Sequence, residues 1–187
     1  MTVQRQRSST CTMNDLRALE WSDLTALFGC LLAPASDVMD GEFDSGLPAY
    51  AEDEWRSAMR DLGRGYWLGK AYSPDGYDGH DGQGYNCYRA GDVGIERLSR
   101  FVWDITDSTI SDGTSLVMHY AAFDNWGGSH DLIDEVRIVQ PGLYLGAYHT
   151  AAPVPGFTPH PGTNGRSRVE YFFLEGPRRT FGTPDGL

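Results

Sequence analysis

Apolar positions along this chain change period once. Up to about Leu62 they recur at helical spacing, and from Gly65 onward they alternate. Leu16, Leu19, Leu24, Leu27, Phe28, Leu31 and Leu32 form the first stripe. It predicts one bent helix or two short ones, with Asn14 or Ser22 as N-cap and an end at Pro34. A second helix fits residues 51–62, with Trp55, Met59 and Leu62 on one stripe and Gly63 as its stop. The acidic, Gly-containing segment between them, SDVMDGEFDSGLPAY, reads as a lid or an exposed connection.

Residues 66–73 alternate, with Tyr66, Leu68, Lys70 and Tyr72 on one face. Beyond the Gly/Asp loop SPDGYDGHDGQG come strands over 85–89 and 97–107, the second with Phe101, Trp103 and Ile105 on one face. Asp112-Gly113 signals a tight type I′ turn into a strand over 114–123. Residues 131–149, DLIDEVRIVQPGLYLGAYH, read as a hairpin turning at Gln140-Pro141-Gly142-Leu143, with Leu132, Asp134, Val136 and Ile138 on one face. A Pro/Gly loop, AAPVPGFTPHPGTNG, leads to a last strand over 168–175. About seven strands in meander order, with no helix between them, make an antiparallel sheet whose closure into an up-and-down barrel removes its edges. The expected fold is mainly β with an α-helical N-terminal extension. It comprises a tail over 1–13, a helical extension or lid over 14–64, a β-barrel over 65–178 and a tail over 179–187. The helices would pack across a mouth of the barrel or on its outside.

Composition narrows the function. A length of 187 residues suits one domain with a real core. Aromatic residues make up 12%, enough to line a core or a pocket. A formal net charge of −11 repels phosphate backbones and argues against a nucleic-acid partner. Cys11, Cys30 and Cys87 are odd in number and widely spaced, as for free thiols in a reducing cytoplasm. The basic start MTVQRQRSST is not followed by an apolar signal-peptide core, and no run reaches membrane-spanning length. A soluble cytoplasmic protein without a membrane partner is expected. Lys70 is the only lysine in a chain rich in Gly, Asp and Arg, a bias of high-GC bacterial genes.

Gly65-Tyr66-Trp67 carries the G-x-W that opens lipocalin barrels, and the chain resembles the lipocalin or calycin superfamily. The resemblance implies that Trp67 packs at one barrel end beneath an Arg from the end of the last strand. Arg178 is the nearer match and Arg168 the poorer. It also implies a small-molecule barrel. Intracellular lipocalin-like proteins include ligand carriers and cofactor-independent enzymes, among them cyclases and isomerases of natural-product pathways.

Asp134 and His149 are the sharpest candidates for chemistry. If Val139 sits opposite Tyr144, then Asp134 faces His149, and an apolar face ends in a carboxylate beside an imidazole, a potential acid/base pair. His119 is a third catalytic candidate. Counted from the Asp112-Gly113 turn, it opposes Thr106, with Asp104 on the diagonal. His119 and Asp104 line the cavity if the Trp103/Tyr120 face is outside, and they face solvent if it is inside. Asp104, Tyr66, Lys70, Trp103, Tyr120 and Tyr148 are the candidate substrate-binding residues. A buried Lys70 can bind a carboxylate or enolate, or form a Schiff base; an exposed one is a snorkelling surface lysine. Glu135, Arg137 and Tyr148 fall on the face opposite Asp134, where an exposed ion-pair patch is expected.

His80 with Asp78 and Asp81 matches neither a zinc nor an EF-hand spacing, and His130 and His160 carry no pattern. GxGxxG, P-loop, GxSxG and HExxH motifs are absent, so no cofactor and no metal is expected. Three functions remain in play: a cofactor-free cyclase, isomerase or lyase acting on a small apolar substrate, a non-catalytic carrier or sensor, and a protein-interaction module using the acidic helices. A monomer or homodimer is expected.

Overall fold

The structure, a computed structural model, describes residues 10–61, 65–92, 94–125, 132–150 and 169–184. Eight antiparallel strands follow one another in chain order and close into a barrel. They are β1 (Gly41–Gly46), β2 (Trp67–Ser73), β3 (Gly82–Ala90), β4 (Gly94–Asp107), β5 (Thr114–His119), β6 (Leu132–Gln140), β7 (Leu143–Thr150) and β8 (Glu170–Arg179). Helices α1 (Met13–Arg17) and α2 (Trp21–Cys30) precede β1, and α3 (Glu52–Asp61) joins β1 to β2. The mainly β, up-and-down barrel with an N-terminal helical extension is the fold the periodicity predicts. Among the described residues no helix is long and apolar enough to cross a membrane.

The strand beyond the expected seven is β1, and it lies in the acidic segment read as a lid or connection. Its sequence, GEFDSG, has one large apolar residue, so no alternation marks it. Phe43 points inward, while outside the barrel Arg97 and Arg179 hold the buried Glu42 carboxylate at 2.7 and 2.6 Å. Tyr85 donates a third hydrogen bond at 3.0 Å. Burial pushes the Glu42 carboxyl up, but these donors outweigh it and hold the group below the usual carboxylate range. Pairing of β1 with β2 and β8 removes the last free edge of the sheet.

The leucine stripe forms two short helices, and neither Asn14 nor Ser22 caps them. Thr12 caps α1 through a reciprocal box with Asp15, and Glu20 precedes α2 without a side-chain cap. Leu16, Leu24 and Phe28 cover Leu143, Leu145, Ala147, Tyr171 and Phe173 on the outer face of β7 and β8. Both faces of these strands are therefore buried, which is why LYLGA and YFFL read as apolar runs rather than alternations. Leu32 leaves the stripe and is 72% exposed; its carbonyl accepts from the Ile138 amide at 2.9 Å. The third helix, α3, lies across one barrel end, with the Trp55 ring 5.8 Å from Trp67 and 5.5 Å from Tyr148.

Side chains fill the barrel interior around Phe43 and Trp103. Phe43, Tyr72, Phe101, Trp103 and Tyr144 are all buried, and Phe43 meets Tyr72 and Tyr144 edge-on at 5.5 and 5.6 Å. Glycine on neighbouring strands makes room for these rings. A Cβ at Gly82 would lie 2.4 Å from Trp103, at Gly84 2.4 Å from Phe101 and at Gly146 2.2 Å from Phe172. Small residues beside large ones let rings interdigitate inside a narrow barrel.

Bulges in β2, β4 and β6 reset which residues face inward. In β2 the extra residue falls between Trp67 and Gly69, so Trp67 and Lys70 both face inward while Leu68 packs outside with Ala71, Tyr85 and Cys87. Tyr66 lies before the strand, exposed beneath Arg56. The expected shared face of Tyr66, Leu68, Lys70 and Tyr72 therefore holds only for the last two. Gly69 sits at φ 145°, and a Cβ there would meet the Phe43 carbonyl at 1.9 Å. In β4 the bulge puts Ser99 at φ 54° and lets Leu98 and Phe101 both face the interior.

Candidate functional site

A polar network crosses the barrel interior one layer beneath Trp55. Lys70 of β2 reaches Asp134 of β6, four strands away around the wall, with Nζ 2.6 Å from Oδ2. Lys70 also donates to Tyr120 Oη at 2.6 Å and to Asn86 Oδ1 at 2.8 Å, so its three protons are all engaged. Tyr120 donates to Asp134 Oδ2 at 2.8 Å and accepts from Asn86 Nδ2 at 3.0 Å. Asn86 Nδ2 also donates to the Ser99 carbonyl at 3.3 Å, and Trp67 Nε1 donates to Asn86 Oδ1 at 3.0 Å. The bulges aim this set: the one in β2 turns Lys70 inward, and the one in β4 presents the Ser99 carbonyl to Asn86.

Every polar atom of Lys70, Asn86 and Tyr120 in this network has a partner. Asp134 Oδ1 has none: it is buried and, among the described residues, unpaired. Trp55 Nε1, at the same end of the barrel, is likewise buried and unpaired. Around the Lys70 ammonium stand the rings of Trp67, Phe101, Tyr120 and Phe172 at 5.3–5.5 Å. Burial lowers the Lys70 pKa, and Asp134 opposes that shift. Burial first, and the Asp134 charge second, raise the Tyr120 hydroxyl well above its usual range. Tyr148 is raised too, by burial and then by Glu170 and Asp134. A buried ion pair is costly to desolvate, and a bare carboxylate oxygen within one is a hydrogen-bond acceptor or a proton acceptor awaiting a donor.

The structure separates Asp134 from His149. Leu132, Asp134, Val136 and Ile138 do share the inward face. However, the bulge at Val139 slips the hairpin by one residue, so Asp134 pairs with Tyr148 and Ile133 with His149. His149 then lies on the outer face, buried under the β4–β5 loop, where Nε2 meets Thr109 Oγ1 at 2.8 Å. By the same slip Tyr148 faces inward rather than joining Glu135 and Arg137. Those two form no exposed patch; both are buried on the outer face. Glu135 accepts from Ser108 and Thr109, and Arg137 donates to Ser115, the Phe28 carbonyl and the Asp112 carbonyl.

His119 opposes Val102, not Thr106, because β4 and β5 are joined by the longer loop 108–113, closed by the Ser108 amide on the Gly113 carbonyl at 2.9 Å, and not by a two-residue Asp-Gly turn. The Trp103 and Met118 face is the inner one, so Asp104 and His119 lie outside. There Asp104 accepts from the Asp81 amide at 3.0 Å and meets His80 Nδ1 at 2.7 Å. Trp103 is packed into the interior core with Nε1 on the Gln83 carbonyl at 3.1 Å. Lys70 is the cation against Trp67; Arg178 turns outward to Glu175 and Asp44. Arg168, His130, His160, Gly63 and the AAPVPGFTPHPGTNG loop lie outside the described residues. No motif or periodicity in the sequence marks Asn86, Trp55 or Phe172 as site residues. The Gly69 bulge signal, a lone glycine inside an alternating strand, was the one local clue to the reach of Lys70.

Fold and site together define a closed eight-stranded antiparallel barrel with a buried ion pair and an unpaired carboxylate oxygen inside it. No protein-family model and no curated protein matches the chain. A solved structure, described as the crystal structure of a protein from Thermomonospora curvata, is similar with a TM-score of 0.53 and 18% identity, covering 84% of this chain and 88% of that one. At that identity the likeness shows the shared fold.

Proposed function

We propose that the barrel is calycin-like and takes up a small, largely apolar molecule at its α3 end. We read it as a cofactor-independent isomerase or cyclase, with Asp134 as proton acceptor and Tyr120 and Lys70 holding that carboxylate in place. The observation that carries this reading is the unpaired Asp134 Oδ1 inside an otherwise saturated network. Such an atom costs stability unless something donates to it. Trp55, Trp67 and Tyr148 form an aromatic cluster at this end of the barrel, the kind of surroundings an apolar ligand needs. In this reading His149 and His119 are structural, and the interior carboxylate takes over the base role assigned to the imidazole. A cytoplasmic place in bacterial natural-product biosynthesis is the corresponding proposal for its setting, supported by composition and by the lipocalin-like G-x-W.

A carrier that binds without turnover is the second reading. It is favoured by the full commitment of the Lys70 protons, which suits a rigid binding wall more than a proton relay. One experiment separates the two. 2-Tetralone, a ketone with exchangeable α-hydrogens, is incubated with the protein in D₂O and followed by NMR, with binding measured in parallel by calorimetry. The enzyme reading expects α-deuteration faster than in buffer and its loss in Asp134→Asn. Binding without exchange supports the carrier, and absence of binding overturns both.

A further inference from the structure

Building on that ligand site, we infer that its ligand is a neutral ring compound carrying both a hydrogen-bond donor and a hydrogen-bond acceptor. Two orphaned atoms set the requirement. Asp134 Oδ1, on a side chain about 3% exposed, can only accept, so it asks for an O–H or N–H. Trp55 Nε1 can only donate, so it asks for a carbonyl or ether oxygen. The rings of Trp67 and Tyr148 pack against Trp55, so the surroundings at this end are aromatic and apolar and suit a ring compound.

Charge balance sets the neutrality. Lys70 and Asp134 cancel at 2.6 Å. A ligand carboxylate would find no spare ammonium proton, because all three are engaged, and would face the bare Asp134 oxygen as a like charge. A ligand ammonium would bring a second cation to a carboxylate already neutralised, and would lose its hydration in doing so. A neutral hydroxyl meets neither penalty.

Calorimetric titration with isosteric bicyclic probes tests this. The 5-, 6- and 7-hydroxy-1-tetralones carry a donor and an acceptor at different spans. 1-Tetralone carries the acceptor alone and naphthalene neither, while 1-naphthoate and 1-naphthylmethylammonium carry the two charges. The best hydroxytetralone should bind roughly ten- to a hundredfold tighter than 1-tetralone, the increment of one hydrogen bond to a carboxylate, and 1-tetralone roughly five- to tenfold tighter than naphthalene, the increment of a neutral one. Both charged probes should bind more weakly than 1-tetralone. Trp55→Phe keeps an aromatic ring, smaller than indole, and removes the N–H. It should erase the advantage of 1-tetralone over naphthalene, because both probes lose the same ring contact and only 1-tetralone loses a hydrogen bond. A charged probe that binds as tightly as the hydroxytetralones, an equal affinity for naphthalene, or a Trp55→Phe variant without effect overturns the inference and leaves the ligand site standing. A panel in which nothing binds, as expected if ordered water alone satisfies the two atoms, overturns the site as well.

Discussion

Removing Lys70 alone should be far more damaging than removing Lys70 and Asp134 together. Lys70→Met leaves the Asp134 carboxylate buried with one donor, Tyr120 at 2.8 Å, where it had two. Stripping one partner from a buried ion pair costs about 3–5 kcal/mol. That is a large share of the roughly 5–15 kcal/mol by which a domain of this kind is stable. In Lys70→Met/Asp134→Leu both charges go and similar volume remains, so the desolvation cost goes with them. What remains is the Tyr120 hydroxyl without its acceptor, about 1 kcal/mol, and Tyr120→Phe should recover most of it. Urea unfolding of wild type, Lys70→Met, Asp134→Leu and the double variant, followed by tryptophan fluorescence, gives four free energies, and the cycle gives the coupling. A double variant as unstable as the sum of the two single ones would refute the reasoning. A double variant near wild type would mean that the ion pair is dispensable for folding, as expected of groups kept for a ligand.

Three further outcomes follow from the geometry. Gly69→Ala should destabilise by several kcal/mol, because its Cβ would meet the Phe43 carbonyl at 1.9 Å at a φ of 145°; calorimetric unfolding checks it. Glu42→Gln should cost about 2 kcal/mol at neutral pH by weakening its bonds to Arg97 and Arg179. The Glu42 carboxyl is held below its unfolded value of 4.5. Its contribution is therefore present above that pH and lost as pH falls through the folded value, so Glu42→Gln should flatten the acid limb of a stability-versus-pH curve. Arg137→Met should loosen α2 and the β4–β5 loop together, since one guanidinium holds the Phe28 and Asp112 carbonyls; amide exchange should quicken in both segments.

Much of the barrel was legible because closure and alternation both leave marks in sequence. The Leu132/Asp134/Val136/Ile138 face, the Phe101/Trp103/Ile105 face and the reversal at Pro141-Gly142 all read correctly, and Lys70, Tyr120 and Asp134 were each singled out. Their meeting was not readable, because it spans the interior between β2 and β6 and depends on a closed circuit of eight registers. The Asp134–His149 pairing failed on a single residue. A bulge at Val139 reverses every later face of the hairpin, and nothing in IVQPGL marks it. β1 escaped because GEFDSG owes its place to pairing with neighbours and to outside arginines rather than to its own hydrophobic pattern.

The most direct measurement is a crystal of the protein soaked with the tightest-binding hydroxy-1-tetralone. The account predicts the molecule under α3, its hydroxyl within hydrogen-bonding distance of Asp134 Oδ1 and its carbonyl on Trp55 Nε1. A molecule seated on the outer face of the barrel, or an α3 end holding only water beside those two atoms, would contradict it.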